Sequence, residues 1–378
     1  MEGETMRKFF SKRESTTGRV DLRGGERDIS AAPAPTEQAL VLSSTIETSM
    51  PTEAAKAYGP LVLNDPDKAT VDIVLIHGLG GDRTGTWTER TADAERTPCF
   101  WPKDLLPIDL PDARIITWGY AAATIKALNV VSIANPTQHA EKLCSELASL
   151  RVGVLDRPIL FVAHSMGGIV AKKALLNSQD SNVDSIAPLV DDTRGIVFMG
   201  TPHCGSKSAD VASFLAKIVR VCTFQQVNTS MLNELQSQNP QLNELQNHFH
   251  RLLVKRMKED CAIQVRCFYE TLPLASIKDV VVPVHSAAPP VFEGSVEVDA
   301  NHIDMTKFSS KEDQTYKNVL AELLRMIELA KKQRKDDSDP SMQRGGVSHI
   351  GNNDQGALAN YGSQTIGTGN GGSTHYGK

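Results

Sequence analysis

A mostly parallel, doubly wound α/β sheet with a helical insertion is the fold class this sequence predicts. Three observations predict it. Short apolar, β-branched runs recur through the middle of the chain, and segments of helical spacing lie between them. One run, PILFVAH (158–164), passes through a serine and two glycines directly into a helical pattern, GGIVAKKAL (167–175).

The runs come in order as VDIVLIHG (71–78), ARIITWGY (113–120), PILFVAH (158–164), RGIVFMG (194–200) and AIQVRCFYE (262–270). Each has the length and near-continuous apolarity of a buried parallel strand. Between them, HAEKLCSELASL (139–150) places Ala140, Leu143, Cys144, Leu147 and Leu150 on one helical face. Near the end, Ser309 and Glu312 have capping-box spacing ahead of an amphipathic stretch. Its buried stripe is Tyr316, Val319, Leu320, Leu323 and Ile327. Alternating strands and helices imply a sheet covered on both faces. Residues 206–260 carry no strand pattern and read as a helical insertion. It either packs on the domain or forms a cap over a site at the C-terminal edge of the sheet.

Length and composition bound the rest. The 378 residues suffice for one large domain, read here as 58–330, with flanking segments, or for two ordinary domains. Residues 1–57 are polar and read as disordered, 331–350 as a charged linker, and 351–378 as a Gly/Asn-rich tail that cannot build a core. A net charge of −5 with no basic stripe excludes a nucleic-acid-binding role. The six cysteines are scattered without metal-ligand spacing and read as reduced thiols, and no cofactor is implied. The N-terminus lacks the apolar core of a secretory signal, and no apolar run is long enough to span a membrane, so a cytoplasmic location is the expectation.

The chemistry centres on Ser165. A serine hydroxyl becomes a useful nucleophile when a base can take its proton and fixed N–H groups meet the oxyanion. A tight strand–serine–helix turn serves both needs, provided that small residues stand two before and two after the serine. Here Ala163 and Gly167 hold those places; the usual form has glycine at both, so Ala163 departs by one methyl. A buried serine at a plain strand end is the alternative. The run VDIVLIHGLGG (71–81) resembles the HG loop of α/β-hydrolases, which implies an oxyanion hole from the N–H groups of Leu79 and Met166. His77 in that loop reads as a structural residue.

The base belongs late in the chain, and His302 in SVEVDANHIDMTKF (295–308) follows a short strand there. His203 reads as structural, and His248 and His250 fall in the helical insertion. Two carboxylates could orient His302. Glu270 ends the strand at FYE (268–270), and Asp279 opens DVVVP (279–283).

Taken in order, these blocks, with FWPKDLLPIDLPDARIITWGY (100–120), TRGIVFMGTPHCGS (193–206) and FYETLP (268–273), resemble one α/β-hydrolase family. It is the branch of SERAC-type and DUF676-like serine esterases and of hydrolase domains in fungal signalling proteins. The resemblance covers about residues 58–330. It implies an α/β-hydrolase fold, a carboxylic-ester or lipid substrate, Ser165 as nucleophile, His302 as base and Glu270 as the favoured acid, with Asp279 as alternative. Family members usually carry a basic residue in the TPHxGS block, where this chain has Cys204.

The segment ANYGSQTIGTGNGGSTHYG (359–377) resembles the amyloid-signalling motifs of fungal innate-immunity receptors and their effectors. That resemblance implies an NLR-type receptor as partner, or self-assembly through residues 351–378; a flexible tail is the alternative. Two other function classes compete with the esterase. One is a non-catalytic signalling scaffold whose tail polymerises. The other is a dinucleotide- or phosphate-binding enzyme, which lacks both G-x-G-x-x-G spacing and a P-loop lysine.

Overall fold

All five apolar runs form strands, and two more strands join them. The structure is a computed structural model, and it describes residues 58–121 except 92, 136–203 except 155, 214, 216–217 and 239–338. The main elements are β1 (Gly59–Asn64), β2 (Val71–Ile76), β3 (Ala113–Gly119), α1 (Pro136–Leu150), β4 (Ile159–His164) and α2 (Met166–Gln179). After these come β5 (Thr193–Met199), α3 (Asn239–Lys258), β6 (Gln264–Glu270), β7 (Val296–Val298) and α4 (Gln314–Ser338). The strands lie in one sheet in the order β1-β3-β2-β4-β5-β6-β7. Only β1 is antiparallel to its neighbour.

β2, β3 and β4 are buried at every position, as strands covered on both faces must be. Alternate residues feed two cores. Val74, Ile76, Phe161 and Phe198 face the side packed by α1, α2 and α3. Ile73, Leu75, Val162 and Val197 face the side packed by Trp101, Leu106 and α4. The chain leaves β2 for β3 on one side and then returns past β2 to β4. That reversal opens a crevice at the C-terminal ends of β2 and β4, the place where doubly wound folds bind ligands.

At the opposite edge of the sheet Asp72 holds a buried charge cluster. Arg114 grips it with two bonds, Nε–Oδ1 at 2.8 Å and Nη2–Oδ2 at 2.7 Å. Arg157 adds an ion pair at 3.2 Å, and Arg151 bridges Asp72 to Asp192. The cluster ties the start of β2 to β3 and to the chain on either side of the α1–β4 connection.

The loop leaving β2 is anchored by His77. Its ring stacks on Tyr120 with centroids 4.4 Å apart. Nδ1–H donates to the Gly78 carbonyl at 2.8 Å, and Nε2 accepts from the Tyr120 N–H at 3.2 Å. Both ring nitrogens are therefore committed within the loop, and His77 is a structural residue. Burial pushes its pKa down to about 4.

Four sequence readings are refined. β1 was not legible: GPLVLN is only half-buried on an edge, so neither clean alternation nor a continuous apolar run marks it. The last helix is capped by Asp313, whose Oδ1 accepts from the N–H groups of Thr315 and Tyr316 at 2.8 and 3.1 Å, and not by Ser309. That helix runs to Ser338, past Lys331, because KKQRKDD consists largely of helix-compatible residues. The linker boundary at 331 therefore moves. Within the expected cap, α3 is a layer of the domain: Phe249 and Leu252 are buried in the same core as Phe198. Residues 1–57, 218–238 and 339–378, with the readings placed on them, lie outside the described residues.

Replacing Asp72 with Asn leaves the buried Arg114 side chain without its counter-charge and Arg151 with Asp192 alone. We expect a loss of about 3–5 kcal/mol in urea unfolding. His77 supplies a pH signature. Because burial holds its native pKa below the ordinary imidazole value of 6.5, its contribution is complete above about pH 6.5 and is lost as the pH falls towards about 4. The loss is on the order of 3 kcal/mol. Unfolding free energies measured across that interval should flatten in His77→Gln.

Candidate active site

Three elements bring the site together at the crevice. At the end of β4 the chain enters α2 through Ser165, whose φ of 52° and ψ of −123° are outside the range common for a residue with a side chain. Such a conformation costs roughly 1–3 kcal/mol and lifts the hydroxyl above the sheet. The Ser165 N–H is held by the Met199 carbonyl of β5 at 2.9 Å.

Glycines make the turn possible. A Cβ on Gly167 would stand 2.5 Å from the backbone oxygens of both Ile76 and His77, so only glycine lets α2 lie this close to β2. A Cβ on Gly78 would meet the Ser165 Cβ at 2.8 Å. The loop carrying Leu79 therefore runs directly beside the serine. Met166 begins α2, and the first N–H groups of a helix have no intrahelical acceptor.

β6 and β7 supply the other two groups. Glu270 is the last residue of β6 and pairs in register with Val298. Four residues beyond Val298 the chain reaches His302. His302 Nδ1–H donates to Glu270 Oε2 at 2.9 Å. His302 Nε2 accepts from the Ser165 hydroxyl at 3.0 Å. All three residues are buried. Asn301 shapes the turn, its Oδ1 accepting from the N–H groups of Ile303 and Asp304 at 3.0 and 3.1 Å. Gly200, at φ +56°, leaves room for the imidazole: a Cβ there would lie 3.0 Å from His302 Cε1 and Nδ1.

The other carboxylate is elsewhere. Asp279 is exposed and pairs with Lys217 at 2.7 Å. Its segment serves Glu270 in another way: the N–H groups of Val281 and Val282 donate to Glu270 Oε1 at 2.9 and 2.8 Å. Burial raises the Glu270 pKa, but the neighbouring His302 and these two amides outweigh it. The carboxyl stays below its ordinary value and remains ionised near neutrality.

A cleft of about 540 Å³ reaches His302 and His164. Its apolar lining includes Leu79, Val281 and Ile303, and its charged lining Asp82, Glu89, Arg90 and Lys307. Lys307 donates to the carbonyls of Gly85, Thr86 and Thr88, which fixes this wall to the His302 loop. Burial, and then the nearby Arg90, pushes Lys307 down to about 8.

Three other histidines, His203, His248 and His250, are placed apart from this line. His203 accepts from Lys172 Nζ at 2.7 Å and lies 3.5 Å from Cys267 Sγ, in the core beneath α2. His248 and His250 are exposed on α3. Sequence reasoning passed over Gly200 and His164. Gly200 had only the signal of a glycine at a strand end, and His164 occupies a position the serine motif leaves open.

Residues 68–290 match the family described as "Putative serine esterase (DUF676)". Protein SERAC1 of Mus musculus is 31% identical over 272 residues, and that of Bos taurus 33% over 275; each alignment covers 68% of this chain and 39% of the relative. The chain thus spans about two-fifths of the length of the relatives it matches. Solved structures similar to it include Bacillus licheniformis lipase BlEst2, at 15% identity and a TM-score of 0.38 over 71% of this chain and 97% of that one. Tomato methylketone synthase I, complexed with 2-tridecanone, is similar at 14% identity and a TM-score of 0.39 over 68% and 99%. With the family match spanning more than half of its length, on an α/β-hydrolase sheet, this chain belongs to the DUF676 family.

Proposed function

We propose that the chain is a serine hydrolase of carboxylic esters, lipid esters included, that works through an acyl-enzyme on Ser165. The observation that carries this reading is the unbroken line of hydrogen bonds from Ser165 through His302 to Glu270, 3.0 and 2.9 Å long, at the start of α2.

Each residue has a role that follows from its surroundings. His302 Nε2 takes the Ser165 proton as the oxygen attacks the ester carbonyl, forming a C–O bond and a tetrahedral oxyanion. The N–H groups of Met166 and Leu79 stabilise that charge. Glu270, kept ionised by two amides, fixes the Nδ1–H tautomer of His302 and stabilises the imidazolium. The imidazolium then gives its proton to the departing alkoxide, which leaves as the alcohol. Water, deprotonated by His302, attacks the acyl group. The acid product departs and Ser165 regains its proton. An amide-clamped carboxylate one hydrogen bond from the imidazole supports Glu270 as the acid over the exposed Asp279.

A second reading rests on the sequence of residues 351–378. In it the tail polymerises, alone or templated by an NLR-type receptor, and the hydrolase domain is a non-catalytic scaffold whose function is lost with the tail. Removing 351–378 distinguishes the two, because the esterase reading expects unchanged turnover in the truncated chain.

Ser165→Ala should abolish labelling by a fluorophosphonate probe, and a wild-type chain that takes no label would sink the esterase reading. Among the carboxylates, Glu270→Gln should lower the turnover of p-nitrophenyl esters by about 10²-fold or more, since it loses the charge and misorients the tautomer. Asp279→Asn should stay near wild type. The reverse ranking would move the acid to Asp279.

A further inference from the structure

We propose that His164, the residue before the nucleophile, is a positioning residue that holds the main chain of His302 in line with Ser165. This rests on the catalytic reading above. His164 is buried, and its Nε2–H donates to the His302 carbonyl at 2.9 Å, joining residues 138 apart in sequence. The two imidazole rings pack with centroids 4.9 Å apart at 42°.

The bond matters because of what it connects. His164 is the last residue of β4 and lies in register with Met199 of β5, so the sheet fixes its backbone. Further contacts pin the far end of the His302 loop towards a different part of the molecule. Thr306 Oγ1 donates to the Thr86 carbonyl at 2.8 Å, Lys307 holds the carbonyls of Gly85, Thr86 and Thr88, and Trp101 Nε1 donates to the Thr306 carbonyl at 2.9 Å. Those contacts secure the loop to the cleft wall. The His164 bond secures it to the strand that carries Ser165. It therefore sets the distance between nucleophile and base from the main-chain side, while Glu270 sets the ring's rotation from the side-chain side.

The surroundings of His164 suit that task. Nε2–H faces a carbonyl, which only accepts, so this nitrogen cannot take a proton from substrate. On the far side, a Cβ on Gly78 would come within 3.1 Å of His164 Nδ1, so the glycine leaves the space in which the ring sits. Burial, and then the neighbouring His302, keeps the ring neutral well below its ordinary pKa, with Lys307 and His77 acting in the same direction. His302 can thus become an imidazolium without a like charge against its face.

The test uses two polar replacements of similar size. The amide nitrogen of Gln can reach the position of His Nε2, whereas that of Asn mimics Nδ1 and falls short of the His302 carbonyl. Fluorophosphonate inactivation of the full chain gives kinact, KI and the final labelled fraction for wild type, His164→Gln and His164→Asn. We expect kinact close to wild type for Gln. For Asn we expect a fall between about tenfold and a hundredfold, the scale of a misplaced reacting group, with KI and labelled fraction unchanged. The proposal is overturned if Asn reacts at the wild-type rate or if Gln is as slow as Asn. It is also overturned if the loss lies in KI or in the labelled fraction, which would mark a binding or folding defect. A wild-type chain that takes no label removes the catalytic reading, and this inference with it.

Discussion

At Ser165 the chain turns from strand to helix with φ at 52°, and the turn closes only because no side chains stand between α2 and β2. Gly167 puts the helix against the carbonyls of Ile76 and His77, and Gly78 puts the next loop against the serine's own Cβ. Widening either contact would move the serine, the start of the helix and the amide of residue 79 together. The strained backbone at Ser165 is tolerated because the sheet on both sides of β4 over-determines it. The methyl group of Ala163, where glycine is usual in this motif, causes no conflict. It lies in the core on the α2 face, with Ile76 and Val170.

Hydrogen-bond partners then sort the buried ionisable groups. His77, His164 and His203 are all held neutral by burial, and each has its ring nitrogens turned to carbonyls, amides or core neighbours. Among the described histidines of the buried site, His302 is the one whose ring faces a carboxylate, Glu270. The carboxylate survives burial through two amide donors rather than a cation. This arrangement favours proton transfer at one imidazole and disfavours it at its neighbours. The distinction is set by hydrogen-bond partners, because all four rings are similarly enclosed.

Much of this was legible in the sequence, for physical reasons that also mark where legibility ended. Buried parallel strands announce themselves as apolar runs, so β2 to β6 could be read within a residue or two. The half-buried edge strand β1 could not. Ser165 stood out because a sharp strand-to-helix turn needs small neighbours at fixed offsets. His302 stood out only by its place after the last strand. The acid was ambiguous: Glu270 and Asp279 lie nine positions apart on one strand–loop segment, and only tertiary folding shows that one accepts amides contributed by the other's segment. The part played by DVVVP resides in backbone N–H groups, which every non-proline residue has, so composition could not reveal it. His164 was hidden for a related reason, since its partner is a main-chain carbonyl 138 residues away.

The region matched to the DUF676 family ends at residue 290, so it contains Ser165, Glu270 and Asp279 but stops short of His302. What delivers the histidine is β7. Its pairing with β6 runs Phe268 with Val296, Tyr269 with Glu297 and Glu270 with Val298. That short strand fixes the start of the following loop, and the N–H groups of Thr271 and Leu272 continue the register by donating to the carbonyls of Val298 and Ala300 at 3.1 and 3.2 Å. A one-residue slip in so short a strand would turn its side chains to the opposite face and carry His302 along the edge. Val298 resists the slip because it is buried in the core with Phe268 and Met305, whereas Glu297 faces solvent. The alignment of His302 with Ser165 thus depends on the burial of one valine as well as on the three polar groups that share the hydrogen bonds.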